Sequence, residues 1–407
     1  MFKKLILAAL AVAALGVTLA TPVFATTGPT SLVVDDDGLA GLSEDGLPDC
    51  TDGFSHTTDA RVFQKIQDAV NAALPGYDIF VCPGQYNESV VVNTSVQLWG
   101  ANNAGVADTD CSTRLGESTV TGVGDWALTI NADGVTVDGL RFANTPAGGV
   151  RTNAANSGFV IANNRFDNNG NGLQLLSSGA LETSVVGNCF SDNNNSAAGS
   201  GITSAGPLSN AWIKYNGFRA HRVGGINLDG SANAISGLDI SYNRGTNDKS
   251  FALLKTVSST LLFGNHVVAN DEISVPASAF RVFGASHDLS LRYNIVAANN
   301  SEGILVTDTA YNILVKGNRI RYTTDGISIL SSAAGAAKVQ GNKLRDVTGN
   351  ALNAGALSNG NTFVNNRATG VAQFHCVDAS SGTGTGGTAN TWTHNRGHFA
   401  SPSEICS

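Results

Sequence analysis

The chain has 407 residues, of which 42% are hydrophobic and only 14% charged, with 47 glycines and a formal net charge of −8. Residues 26–150 hold 17 acids and 4 bases, whereas residues 151–407 hold 15 acids and 18 bases. An acidic end joined to a mildly basic body argues against nucleic acid as a partner, and a single methionine, the initiator, removes any methionine-based copper site.

Residues 1–25 read as an export signal. Lys3 and Lys4 form the charged start, Leu5 to Ala20 the apolar run, and Val23-Phe24-Ala25 a small-residue cleavage site. The apolar run is short for a membrane span and nothing later replaces it. The expectation is a secreted chain, extracellular or in the cell envelope, with no membrane span.

Residues 26–58 form an acidic N-terminal segment. Asp35-Asp36-Asp37-Gly38 offers oxygen ligands, so calcium is the one cofactor the sequence leaves open. The later glutamate of an EF-hand loop is missing, and a solvated acidic segment is the simpler reading. No metal ligand set is assigned.

Residues 59–74 carry the one helical period. Val62, Phe63, Ile66, Ala69, Val70 and Ala73 fall on one face. Thr58 or Asp59 is placed to cap the start, and Pro75-Gly76 ends the helix.

From residue 75 to 375 the pattern changes to short stretches with apolar residues at every second position, separated by Gly, Asn and Ser. The anchors Asn164, Asn188, Asn216, Asn243, Asn265, Asn294, Asn318, Asn342 and Asn366 recur, and Asn395 is a tenth candidate. A fixed period of this size means stacked units that bury one another's apolar faces. Turns of about 24 residues with about three short strands each describe a coil of parallel strands, its rungs about 4.8 Å apart. The asparagines then sit at bends, where their amides can hydrogen-bond up the axis. They are read as a structural ladder.

Residues 376–407 close the chain. Six cysteines in an exported protein suggest disulfides. Cys50 and Cys82 bracket the helix, and Cys376 and Cys406 bracket the tail. Cys189 is read as outward-facing, and Cys111 reaches it only if the 101–118 loop folds down the side. That third pairing stays open.

The opening Phe63-x-x-Ile66-Gln67-x-Ala69-Val70-x-Ala72-Ala73 leads into Pro75-Gly76-Tyr77-Asp78-Ile79-Phe80-Val81-Cys82-Pro83-Gly84-Gln85-Tyr86. With Val90-Val91-Val92, Val96-Gln97-Leu98-Trp99-Gly100 and the asparagine repeats, it resembles secreted right-handed parallel β-helix proteins of the pectin-lyase-like superfamily. The resemblance implies an all-β fold: a single-stranded right-handed parallel β-helix solenoid with a short N-terminal capping α-helix. It implies no single activity, because fold does not give function.

Catalytic motifs are faint. Of the polygalacturonase signatures, only Arg319-Ile320-Arg321 resembles one, and it lies inside an ordinary repeat. A two-carboxylate hydrolase is disfavoured. A polysaccharide lyase needs only a base and a group that neutralises a uronate carboxylate. Asn227, Asp229, Lys255 and Arg281 fall on consecutive rungs and can share a patch. Lys255 would be the base, Arg281 the carboxylate clamp or acid, and Asp229 a calcium or orienting ligand. His266 and the pair His287-Asp288 read as turn residues.

The basic residues flanking the asparagines form columns, densest at Lys316, Arg319, Arg321, Lys343 and Arg345. Such a row can hold an extended acidic glycan, or simply keep a long sheet face from aggregating. Two functions follow: an extracellular protein that binds polysaccharide or serves a structural role at the cell envelope, and a lyase acting on an acidic, uronate glycan by β-elimination. The first is preferred, because no catalytic constellation stands out.

Overall fold

The computed structural model describes residues 30–36, 41–42, 48–50, 61–103, 111, 114, 116–195, 199–270, 277–299 and 301–407. The export signal expected at 1–25 lies outside them, as do Asp37, Thr58 and Asp59. Residues Ser31–Ser407 form one compact unit.

That unit is a right-handed parallel β-solenoid. Each rung gives one short strand to each of three sheets, of 16, 12 and 13 strands, called here the first, second and third walls. One rung runs Val160–Ala162 on the first wall, Arg165–Asp167 on the second and Asn171–Gln174 on the third. Alternation decides what faces inward: Ile161, Phe166 and Leu173 are fully buried, while Val160, Arg165 and Asp167 point out. Stacked rungs join these residues into one continuous core.

The asparagines lie at the turn from first to second wall, and their side chains point inward. Asn188 shows the pattern. Its Nδ2 donates to Ile161 O at 2.7 Å and to Asn216 Oδ1 at 3.0 Å. Its Oδ1 accepts from Asn164 N at 2.9 Å and Asn164 Nδ2 at 3.1 Å. Both donors and both lone pairs are thus used, which is what a buried amide requires. The chain of bonds runs unbroken from Asn164 to Asn395.

Beside this ladder, Phe142, Phe166, Phe190 and Phe218 stack at centroid distances of 5.3, 4.6 and 5.1 Å. Glycine on the third wall makes the room. A Cβ on Gly172 would lie 2.6 Å from Phe190 Cδ1 and 2.5 Å from Gly201 O. A second interior ladder runs Asn169, Asn193, His221 and Asp248, and ends in a 2.6 Å contact between His221 Nδ1 and Asp248 Oδ1.

The helix is shorter than the periodicity suggests, spanning Ile66–Ala72. Val62–Phe63 is a strand instead, pairing with Val33 and Val34. A β-branched and an aromatic residue beside an open strand edge gain more from the ladder than from a helical turn. The N-cap residue Lys65 has no side-chain cap. The carboxylate of Glu88 takes that role, accepting from Ile66 N at 2.8 Å and Gln67 N at 3.0 Å.

Disulfides join Cys50 to Cys82, Cys111 to Cys189 and Cys376 to Cys406. Cys189 stands in an outward column yet is fully buried. Cys111 lies against it through the disulfide, and Arg114 Nη1 donates to Asn163 O at 2.5 Å.

Candidate functional site: a cationic groove and an aromatic turn

The register of the second wall stacks the residues that follow each asparagine. The column reads Arg165, Cys189, Gly217, Arg244, His266, Ile295, Arg319, Lys343 and Arg367, and an isolated bridge adds Arg396. Two strand positions further on, Arg321 pairs with Arg345.

The two ends of this wall differ in charge compensation. Near the start, Arg141 makes a two-pronged contact with Asp167, at 2.9 and 2.6 Å, and Arg165 Nε approaches the same carboxylate at 3.5 Å. Near the end, Arg319, Lys343, Arg367 and Arg396 stand in register on consecutive rungs and are exposed. Among the described residues none of the four meets a carboxylate, and of their neighbours only Arg345 does, at Asp346, 3.0 Å. Like charges facing each other across a sheet are destabilising, so the fold carries a cost here that it avoids further up.

These cations line two adjoining depressions. One, of about 270 Å³, is formed by Ile295, Arg319, Ile320, Arg321, Lys343 and Arg345. The other, of about 890 Å³, includes Lys343, Arg367, His394, Arg396 and His398. Lys343 belongs to both, so they read as one groove along the last rungs.

Imidazoles border this region. Burial, followed by the charges of Arg244 and Arg321, pushes His266 below the ordinary histidine value. Burial and then His398 do the same to His375. His266 is a strand residue, not a turn residue, because it pairs with Arg244 and Ile295.

A second feature lies on the asparagine turn itself. The residue before each asparagine adopts left-handed backbone: Gly187, Gly264, Gly317 and Gly341 do so, but so do Tyr215, Tyr242 and Tyr293, at φ of 55, 57 and 54°. A non-glycine residue there costs about 1–2 kcal/mol. Each tyrosine nevertheless leaves about half of itself in solvent, at 46, 45 and 51%. Tyr215 and Tyr242 stack at 5.2 Å, and Phe263 bridges Tyr242 and Tyr293 at 5.4 and 5.6 Å. Trp212, 42% exposed, carries Lys214 Nζ 4.0 Å over its ring.

The remaining residues singled out in the sequence lie elsewhere. On the third wall Asn227, Leu253 and Arg281 form one outward column, and Asp229, Lys255 and Phe283 the next. They share a face, but Lys255 Nζ is engaged with Asp229 Oδ2 at 3.1 Å, and Arg281 lies over the Phe283 ring at 4.7 Å. Burial works against ionisation of Asp229, yet hydrogen bonds from Ser231 and Lys255 hold its pKa low. Lys316 does not join Arg319 and Arg321 in the groove. Gly317 and Asn318 turn the chain between them, leaving Lys316 on the first wall beside Arg292. His287 pairs with Asp288 at 2.9 Å and stacks on Tyr311.

Asp36 Oδ2 accepts from Gln85 N at 2.8 Å. Among the described residues no three His, Cys, Asp or Glu side chains gather as a metal cage. No helix among them is long and apolar enough to cross a membrane.

Sequence reasoning left Arg367, Arg396, His394 and His398 out of the site. Arg367 and Arg396 carried a usable signal, since each follows a repeated asparagine. The tyrosine stripe carried one too, in the repeated Tyr-Asn dipeptides, of which only the asparagines were read.

A family model described as "Right handed beta helix region" matches residues 85–240 and 199–368. Comparison with curated proteins returns no match. Among solved structures, the catalytic domain of a GH87 alpha-1,3-glucanase variant in complex with tetrasaccharides is similar at 12% identity and a TM-score of 0.46. That match covers 82% of this chain and 66% of the glucanase domain, just under two thirds of its length. PfbA, a surface adhesin of Streptococcus pneumoniae, is similar at 14% identity and a TM-score of 0.37, over 74% of this chain and 86% of its own.

Proposed function

The chain belongs to the right-handed β-helix family, and from that premise we propose that it binds polysaccharide without cleaving it, outside the cell or in its envelope, holding acidic glycans in the groove of the second wall. One observation carries this reading. Arg319, Lys343, Arg367 and Arg396 stand in register, exposed and without carboxylate partners among the described residues, at a cost the fold escapes near Asp167. A linear anion laid along the axis supplies the missing charges, and arginine suits carboxylates and sulfates because its fork makes two parallel hydrogen bonds. Three disulfides support an oxidising compartment.

The lyase alternative rests on Lys255. In this arrangement its ammonium already donates to Asp229, so a base there must first be released.

The test is retention on immobilised polygalacturonate, alginate and chondroitin sulfate against neutral dextran, with absorbance of unsaturated products followed in parallel. Retention on the anionic chains that weakens with salt is expected, without new absorbance. Equal elution from all four columns would remove the proposal, and rising absorbance would replace it with the lyase.

A further inference from the structure

We propose that the tyrosine stripe on the asparagine turn is a second part of the binding surface, over which an anionic polysaccharide continues after leaving the cationic groove. This rests on the groove reading above and extends it to a surface of different chemistry.

The stripe and the groove belong to one column. The turn residues donate their backbone amides from rung to rung: Tyr215 N to Ser241 O, Tyr242 N to Phe263 O, Tyr293 N to Lys316 O, Gly341 N to Val364 O and Asn365 N to Thr393 O, at 2.9–3.2 Å. Gly341, Asn365 and His394 of this column line the larger depression. The same axial line therefore passes from half-exposed aromatics to the arginine cluster.

The turn does not need tyrosine. Glycine occupies the equivalent place at 187, 264 and 317 with φ of 68, 63 and 68°. Tyrosine is kept at three positions where the backbone disfavours it, and strain of this kind collects where function over-determines the residue. Two neighbouring glycines of the column leave space for the rings. A Cβ at Gly264 would lie 3.0 Å from the Tyr242 ring, and one at Gly317 would lie 2.6 Å from that of Tyr293.

The repeat identifies the occupant. Aromatic centroids follow one another at 5.2, 5.4 and 5.6 Å, one per rung, from Tyr215 to Tyr293. A ligand that meets them all must itself be extended and repetitive. Each tyrosine offers an apolar body and a hydroxyl that donates and accepts, the combination a sugar ring meets with its C–H face and hydroxyls. Charge points the same way: Arg292 and Lys316, in the adjoining outward column of the first wall, have no carboxylate partner among the described residues.

The experiment measures affinity against chain length with a size-fractionated polygalacturonate series, for wild type, for Tyr215→Gly/Tyr242→Gly/Tyr293→Gly, and for Arg319→Gln/Lys343→Gln/Arg367→Gln. Thermal unfolding is recorded for each. Glycine matches the neighbouring turns, so the stripe variant should fold. For wild type, affinity should keep rising after the oligomer outgrows the groove. For the stripe variant it should level off at groove length, with long chains bound at least about tenfold more weakly. The groove variant should lose short and long chains alike. Wild-type-like binding of long chains by the stripe variant, alongside loss in the groove variant, overturns the stripe and spares the groove. A wild type that binds none of the series overturns both. A stripe variant that changes only self-association, read by light scattering, shows a protein interface and also overturns the proposal.

Discussion

Asn243 donates twice to the side-chain oxygen of Asn265, once from its backbone amide and once from Nδ2, each at 3.0 Å. Asn265 passes the pattern on to Asn294 and ties the previous rung through Ile240 O at 2.9 Å. Asn265→Ala should therefore orphan two buried donors together, the backbone amide of Asn243 and one Nδ2 hydrogen of Asn243. At about 1–3 kcal/mol for each group left unpaired, the loss should be about 2 kcal/mol or more. Paired chemical denaturation of wild type and variant measures it; a loss under about 1 kcal/mol would mean that water replaces the side chain.

Acid should weaken the fold through its histidines. His266 and His375 have folded pKa values below the ordinary 6.5, so the unfolded chain binds protons first as pH falls. Their contribution is present above 6.5 and is lost as pH drops from there through the folded values. The unfolding midpoint should fall over this window, and His266→Asn/His375→Asn should flatten the slope. Asp138 and Asp325, raised above 3.8 chiefly by burial, act with the opposite sign from 3.8 upward. Double-variant and wild-type profiles that run parallel would rule out the histidine contribution.

The Asp229–Lys255 pair should matter little to stability. Both side chains are about 40% exposed, and such pairs contribute less than about 1 kcal/mol. Lys255→Ala should also leave retention on polygalacturonate unchanged, because the pair lies on the third wall and the groove on the second. Retention halved in this variant, with the fold intact, would place binding on the wrong wall.

The asparagine period made the architecture readable because a solenoid repeats one local rule. The same spacing predicted that Arg165, Cys189 and Arg319 share a column, and they do. What the period did not carry was the direction of the chain at each bend. Lys316 and Arg319 are near neighbours in sequence, yet Gly317 and Asn318 put them on different walls. Compensation was equally hidden: Asp167 neutralises Arg141 from the next rung and Arg165 within its own strand, while among the described residues Arg319, Lys343, Arg367 and Arg396 have no such counterpart. The helix boundary moved because Val62 and Phe63 had a strand edge to join, which local periodicity does not reveal.

The groove is tested most directly by isothermal titration of polygalacturonate into wild type and into Arg319→Gln/Lys343→Gln/Arg367→Gln at two salt concentrations. Wild type should bind, and more weakly at high salt. The variant should bind at least about 100-fold more weakly at low salt, with little salt dependence left. Equal affinities and equal salt slopes for the two proteins would contradict the assignment of this cationic column as a glycan site.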